Sequence, residues 1–149
     1  MILRNPKNLN DIEKCLNLYL SIYNNNFIVV DPDYIRAMIS QHIRLKKFFK
    51  MCEESHEIIS FIIAKENQLL FSAEKVLQVI SYCSNQKGIK SANLVKLMHR
   101  EVIEEAKIKN ISKVISESSP LDDKQILVKI LEYDGWIRKG HMAIYNLDF

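Results

Sequence analysis

Between Cys83 and Leu94 the chain reads Ser84-Asn85-Gln86-Lys87-Gly88-Ile89-Lys90-Ser91-Ala92-Asn93, a polar turn running straight into a helical pattern. Backbone N–H groups at the start of such a helix have no intrahelical partner. Together with the positive end of the helix dipole they favour an anion, most often phosphate. Gly88 lets the chain turn tightly and a ligand approach the backbone. Lys87 and Lys90 add positive charge and Ser91 a hydroxyl donor, so the turn suits a pyrophosphate. A lone glycine is weak support, however. An ordinary solvent loop, with Gly88 as its turn residue and two solvated lysines, explains the same residues.

Other reactive side chains are less suggestive. Cys83 has no sequence-adjacent base that would make it a nucleophile, and small buried cysteines are common in cores. His42 sits on an apolar helical face and reads as a core or rim residue. His141 opens a strand and reads as exposed. Trp136 packs behind the last helix. Cys15, Cys52 and Cys83 are odd in number and contain no C-x-x-C pair, so neither a zinc site nor a redox dithiol is expected and the thiols read as reduced. No metal is implied.

The elements that must position the turn follow from periodicity. Ile2 and Leu3 predict a short strand stopped by Asn5-Pro6. Asn10 followed by Glu13 is a capping-box pattern ahead of Ile12, Leu16, Tyr19 and Tyr23, which predict a helix ending at Asn24-Asn25-Asn26. Asp31-Pro32 predicts a second N-cap with proline at the first helical position, followed by Tyr34, Ile35, Met38, Ile39, His42 and Ile43. The period then changes. Phe48 to Cys52, Glu57 to Lys65 and Val76 to Cys83 predict strands, with 68–75 unassigned. Leu94, Met98, Val102 and Ala106, at four-residue steps, predict a helix over 91–107, and Ile111 to Glu117 a strand. Ser119-Pro120 caps a last helix with Ile126, Leu127, Ile130 and Leu131 on its core face, ended by Gly135. Trp136 to Arg138 and Met142 to Leu147 predict a closing strand pair.

The order β-α-α-β-β-β-α-β-α-β-β predicts a mixed α/β fold on one central sheet, in one domain over residues 1–149. Strand 76–83, helix 91–107 and strand 111–117 form a βαβ crossover. Such a unit sets its strands parallel and makes the C-terminal end of the first a ligand site.

Composition agrees. The chain has 149 residues, 48% hydrophobic and 26% charged, enough for one packed core. Its net charge of +3 is spread with both signs mixed, whereas a nucleic-acid binder gathers its cations on one face. The densest run, Arg44-Leu45-Lys46-Lys47, lies at a helix end, where cations complement the dipole. Met1-Ile2-Leu3 passes at once into polar Arg4-Asn5-Pro6-Lys7, which is no signal peptide, and no apolar run is long enough to span a bilayer. A cytoplasmic protein without nucleic-acid or membrane partners is the expectation.

The order of elements and the turn together resemble the GNAT-type N-acetyltransferases, which transfer an acetyl group from acetyl-CoA to an amine. Their signature loop reads Arg/Gln-x-x-Gly-x-Gly/Ala, often within R-G-x-G-I-G-S-A-L. Here Asn85-Gln86-Lys87-Gly88-Ile89-Lys90-Ser91-Ala92-Asn93-Leu94 matches in its Gly-Ile and Ser-Ala pairs and its Leu. Glu132-Tyr133-Asp134-Gly135-Trp136-Ile137-Arg138-Lys139-Gly140-His141 is similar to the family's Y-x-x-x-G-F-x-x-x-G ending, with Trp136 for the usual Phe. Ile2-Leu3-Arg4, followed by a helix opening Leu9-Asn10-Asp11-Ile12, is similar too. There are departures. Asn85 replaces the Arg or Gln, and Lys90 replaces the second Gly or Ala, where its ammonium would either crowd the pyrophosphate or pair with it. The family's frequent tyrosine acid, four residues before the glycine, is Leu131 here.

The resemblance implies a mostly antiparallel sheet flanked by helices, acetyl-CoA as co-substrate and no metal. Ile80 and Tyr82 would bind the pantetheine arm through their backbone, and Asn85, Gln86, Lys87, Gly88, Ile89, Lys90 and Ser91 would hold the pyrophosphate. Glu117 would be the general base. Tyr133, the nearest tyrosine to the family's position, would be the acid, with Ser118 or a water as substitutes. The acceptor would be a small-molecule or peptide amine, held by the first two helices and their loop around residues 24–34 and by strands near the C-terminus; Phe27, Ile28, Val29 and Val30 of that loop either line a pocket or join the core. A homodimer through exposed sheet edges is a further expectation. The competing reading is an inactive acyl-CoA-binding or protein-interaction domain on the same fold.

Overall fold

The structure is a computed structural model that describes residues 1–23, 30–69, 72–119 and 124–148. The elements are β1 (Ile2–Arg4), α1 (Leu9–Tyr23), α2 (Pro32–Arg44), β2 (Phe49–Glu54), β3 (Glu57–Gln68) and β4 (Lys75–Ser84). They continue with α3 (Gly88–Ile108), β5 (Lys113–Glu117), α4 (Ile126–Tyr133), β6 (Ile137–Lys139) and β7 (Met142–Asn146). The order is the one expected.

One seven-stranded sheet runs β1-β2-β3-β4-β5-β7-β6. All its neighbours are antiparallel except β4 and β5, which pair in parallel at Leu77 with Val114 and Gln78 with Ile115. This is the crossover the sequence predicts, with α3 as its connecting helix. β2 and β3 meet across Ser55 and His56, both at positive φ, the backbone a tight hairpin requires.

The sheet carries a core on each face. On one, α1 and α2 cover the strands through Ile12, Leu16, Ile35 and Ile39 against Phe49, Phe61 and Ile63. On the other, α3 and α4 pack Leu94, Met98, Val102 and Leu131 against Ile62, Ala64, Leu77 and Val79. Residues 58–64 of β3 are therefore buried on both faces, which explains their unbroken apolar run. Trp136 is buried in the α3–α4 core, as expected.

Several boundaries differ from expectation for local reasons. The cap of α1 is Asn8, not Asn10: the Asn8 Oδ1 accepts the Asp11 N–H at 3.0 Å. Asp11, three residues on, reaches back to the Lys7 N–H at 2.8 Å and takes a paired ion contact from Arg4. That guanidinium holds the Asp11 carboxyl below the usual carboxylate range. Asp31 caps α2 as predicted, accepting the Asp33 and Tyr34 N–H groups. The helix expected at 91–107 begins earlier, at Gly88. Helix α4 starts only at Ile126, after Gln125, which lies in the left-handed region and whose side chain makes no capping bond. On α4 the buried residues are Val128 and Leu131, while Ile126 is half-exposed. His141 lies in the β6–β7 turn and is exposed. The expectations for Phe27, Ile28, Val29 and Pro120 fall outside the described residues. No helix among the described residues is long and apolar enough to cross a membrane.

Candidate active site

The parallel pair β4–β5 is brief because β4 changes course. Ser81 pairs with Ile63 and Val79 with Ala64, leaving Ile80 as an extra residue on β4. A bulge of this kind bends and twists its strand and re-aims a side chain. Pairing with β5 stops at Gln78, two residues earlier. Beyond it, the β5-facing edge of β4 has no strand partner, and a cleft of about 610 Å³ opens between the two strands.

Side-chain alternation assigns the two sides of this cleft. Tyr82 stacks toward His99 of α3, with ring centroids 5.4 Å apart, so it lies on the α3–α4 face. Cys83 packs in the α1–α2 core. The bulge sends Ile80 to that same α1 side, where Tyr19, Ile22 and Tyr23 from the end of α1 complete the wall. On the opposite side the wall is Ser91 and Val95 of α3 with Leu127 and Ile130 of α4. The Tyr23 hydroxyl lies 3.4 Å from the Tyr82 carbonyl, which marks that carbonyl as part of the open β4 edge.

Glu117, the last residue of β5, lines the cleft. Its neighbour Ser116 faces α3, where its hydroxyl lies 2.9 Å from His99 Nε2. Alternation therefore turns Glu117 to the α1 face, beside Tyr19 and Tyr23. Glu117 is exposed, and its carboxylate pairs with no described residue. His99 is fully buried, and burial lowers its pKa to about 4. Its Nδ1 lies 2.7 Å from the Val95 carbonyl, which can only accept. The proton of the neutral ring therefore sits on Nδ1, and Nε2 accepts from Ser116.

At the upper end of the cleft, Gly88 begins α3 at φ +61° with open space where a Cβ would stand. The glycine is needed for its backbone conformation rather than for room. Lys87 at the N-cap supplies no side-chain cap, and the first turn has no acidic residue. The first intrahelical bond is from the Ser91 N–H to the Lys87 carbonyl at 3.4 Å, so the N–H groups of Gly88, Ile89 and Lys90 are left for an anion. Asn85, Lys87 and Ile89 are exposed, and Gln86, Lys90 and Ser91 half-buried.

The predicted site residues thus divide. Ile80, Tyr82, Ser91 and Glu117 line one cleft, and Asn85 to Lys90 form the turn and first helical turn at its end. Lys90 does not stand free for a phosphate: its ammonium is paired with Glu54 at the end of β2, which holds the Glu54 carboxyl below its usual range. Tyr133 is not brought to the cleft. It ends α4, past the cleft-lining Ile126, Leu127 and Ile130, and is 90% exposed. Leu131, at the position of the family's tyrosine, is wholly buried, and Ser118 is buried off the cleft's described lining. Cys83 is buried, and burial pushes its thiol upward, away from reactivity. Sequence reasoning missed Tyr19, Tyr23 and His99. The i, i+4 spacing of Tyr19 and Tyr23 at the end of a helix was the available signal for the first two.

This mostly antiparallel sheet flanked by helices is the fold of solved GNAT-type acetyltransferases. A ribosomal-protein-alanine N-acetyltransferase from Brucella melitensis superposes with TM-score 0.72 at 13% identity, covering 99% of this chain and 100% of that one. The yncA protein of Salmonella typhimurium, solved with its cofactor acetyl-CoA, gives 0.71 at 13% identity, covering 100% and 95%. An aminoglycoside 6'-N-acetyltransferase from Enterococcus faecium gives 0.71 at 8% identity, covering 98% and 97%. Neither a protein-family sequence profile nor a curated protein sequence matches the chain.

Proposed function

We propose that this chain is an acetyl-CoA-dependent N-acetyltransferase that passes the acetyl group directly to a primary amine. The observation that carries the reading is the parting of β4 and β5 beyond Gln78, which joins the start of α3 to Glu117 through one cleft. The parts present fit the co-substrate. The open backbone edge from Val79 to Ser84 offers hydrogen-bonding groups to an amide-bearing pantetheine arm. The N–H groups of Gly88, Ile89 and Lys90, the Ser91 hydroxyl and Lys87 suit a pyrophosphate.

Acetyl-CoA supplies an activated acetyl thioester. Glu117 takes the proton from the incoming ammonium so that the amine can attack. The Tyr23 hydroxyl, at the open edge of β4, returns a proton to the departing thiolate, the role that the family resemblance would give Tyr133.

The second reading, a non-catalytic acyl-CoA-binding domain, is favoured by one observation: the pairing of Lys90 with Glu54 leaves Lys87 as the free cation of that turn among the described residues. Thiol release from acetyl-CoA, followed with a panel of primary amines, separates the two. Amine-dependent release that falls in Glu117→Gln supports the transferase. Tight acetyl-CoA binding with no release above hydrolysis would establish the binding domain instead.

A further inference from the structure

His99 is a fully buried titratable group to which the transferase reading gives no task. Its ring is held in one orientation. The Nδ1–H donates to the Val95 carbonyl at 2.7 Å. The Tyr82 ring centroid lies 5.4 Å away, and the Trp136 ring meets the imidazole edge-on at 5.6 Å. Nε2 is thereby aimed at β5, where it accepts the Ser116 hydroxyl at 2.9 Å. Both partners are buried, so water does not compete for this bond.

The bond meets β5 where the strand loses a neighbour. Val114 and Ile115 pair with β4 on one side and with β7 on the other. Ser116 and Glu117 pair with Ala143 and Met142 of β7, beyond the point where the β4 pairing ends. A strand tip bonded along one edge has fewer restraints than the centre of a sheet. The His99 bond adds a second restraint, directed out of the sheet plane. Successive side chains of a strand point to opposite faces. Keeping Ser116 toward α3 therefore also keeps the Glu117 carboxylate toward the α1 side. The first turn of α3 carries the proposed pyrophosphate site, so one helix would set the positions of both co-substrate and base.

We propose that His99 and Ser116 are positioning residues that hold Glu117 for proton removal, His99 acting through the Ser116 hydroxyl. The inference rests on the transferase reading, in which Glu117 is the base; the restraint on the strand tip exists without it. Small displacements matter here, because a misplacement of about 1 Å can cost on the order of 10²-fold in rate.

The test uses His99→Phe, which keeps a ring between Tyr82 and Trp136 but offers Ser116 no acceptor, and Ser116→Ala. Thiol release from acetyl-CoA is followed with 2-phenylethylamine, spermidine and kanamycin as amines, at a temperature where every variant is folded. Both variants should lose at least tenfold in kcat with acetyl-CoA affinity unchanged. In a Glu117→Gln background neither should lower kcat further, a coupling that a merely structural role would not produce. Wild-type kcat in His99→Phe, or the same fold-loss with and without Glu117, would overturn the inference. A second readout needs no turnover. The Ser118 N–H bonds the His141 carbonyl at 2.9 Å at the strand tip, and its hydrogen exchange relative to Val114 should be at least tenfold faster in both variants. If acetyl-CoA is bound but no amine is acetylated, the transferase reading falls and the exchange ratio alone decides; an unchanged ratio would overturn the restraint.

Discussion

Ser116 and Glu117 are neighbours on β5 with opposite duties: the Ser116 hydroxyl donates to His99 Nε2 inside the core at 2.9 Å, while Glu117 turns into the cleft. The buried bond anchors the tip of the strand from which the carboxylate projects. Ser116→Ala leaves a buried ring nitrogen without its donor, and the expected cost is about 1–3 kcal/mol. Urea titration of the two proteins measures it.

The same ring predicts a pH dependence. In the unfolded chain a histidine takes up its proton near pH 6.5, whereas folded His99 resists it down to about 4. As pH falls through that window the unfolded state binds the extra proton, and stability is lost at about 1.4 kcal/mol per pH unit, roughly 3 kcal/mol in all. Above pH 6.5 and below 4 this group adds no further slope. Melting temperatures recorded from pH 7 to 4 should fall, and His99→Gln, which does not titrate, should flatten the descent. Equal slopes in both proteins would contradict the assignment.

Glu54 competes with a bound phosphate for the Lys90 ammonium. Glu54→Gln should release Lys90 and tighten acetyl-CoA binding by about threefold to tenfold. Lys90→Ala, which strands the Glu54 carboxylate beside the start of α3, should weaken it. Both pairing groups are two-fifths exposed, so neither change should alter stability appreciably. Calorimetric titration at two salt concentrations checks both, since the difference should shrink as salt rises.

Glu117→Gln should lower kcat by 10²–10⁴-fold, the usual range for losing a general base, with acetyl-CoA affinity retained. Tyr23→Phe should lower kcat, whereas Tyr133→Phe should leave it unchanged, because Tyr133 projects into solvent beyond the cleft. A reversed order of these two tyrosine variants in steady-state kinetics would return the acid role to Tyr133.

What was legible in the sequence was whatever local chemistry encodes. The Val- and Ile-rich strand 76–83, the glycine after it and the four-residue steps from Leu94 to Ala106 sufficed to place the crossover and the cleft at its end. Asp31-Pro32 located the start of α2 because both residues have specific geometric preferences. Asn8 and Asn10 are each followed three residues on by an acidic side chain, Asp11 and Glu13, and only packing selects between them. The bulge at Ile80 carries no glycine or proline to announce it. His99 lies between Val95 and Val102 on the apolar stripe of α3, so its polarity was hidden in a core pattern. The Lys90–Glu54 pair joins residues far apart in sequence, on α3 and β2, and has no local signal. Tyr133 looked correctly placed along the chain, but it lies one turn too far along α4 to reach the cleft.

Acetyl-CoA binding is the measurement on which the account turns, followed by thermal shift with acetyl-CoA, CoA and dephospho-CoA on the wild-type chain and on Ser91→Glu. A ligand at about 100 times its Kd stabilises the native state by roughly 2.7 kcal/mol, and at about 2–4 °C per kcal/mol the melting temperature should rise by several degrees. Ser91→Glu, which sets a negative charge at the start of α3, should abolish the rise while melting near the wild-type temperature without ligand. A wild-type chain that shows no shift at millimolar acetyl-CoA would contradict the central claim.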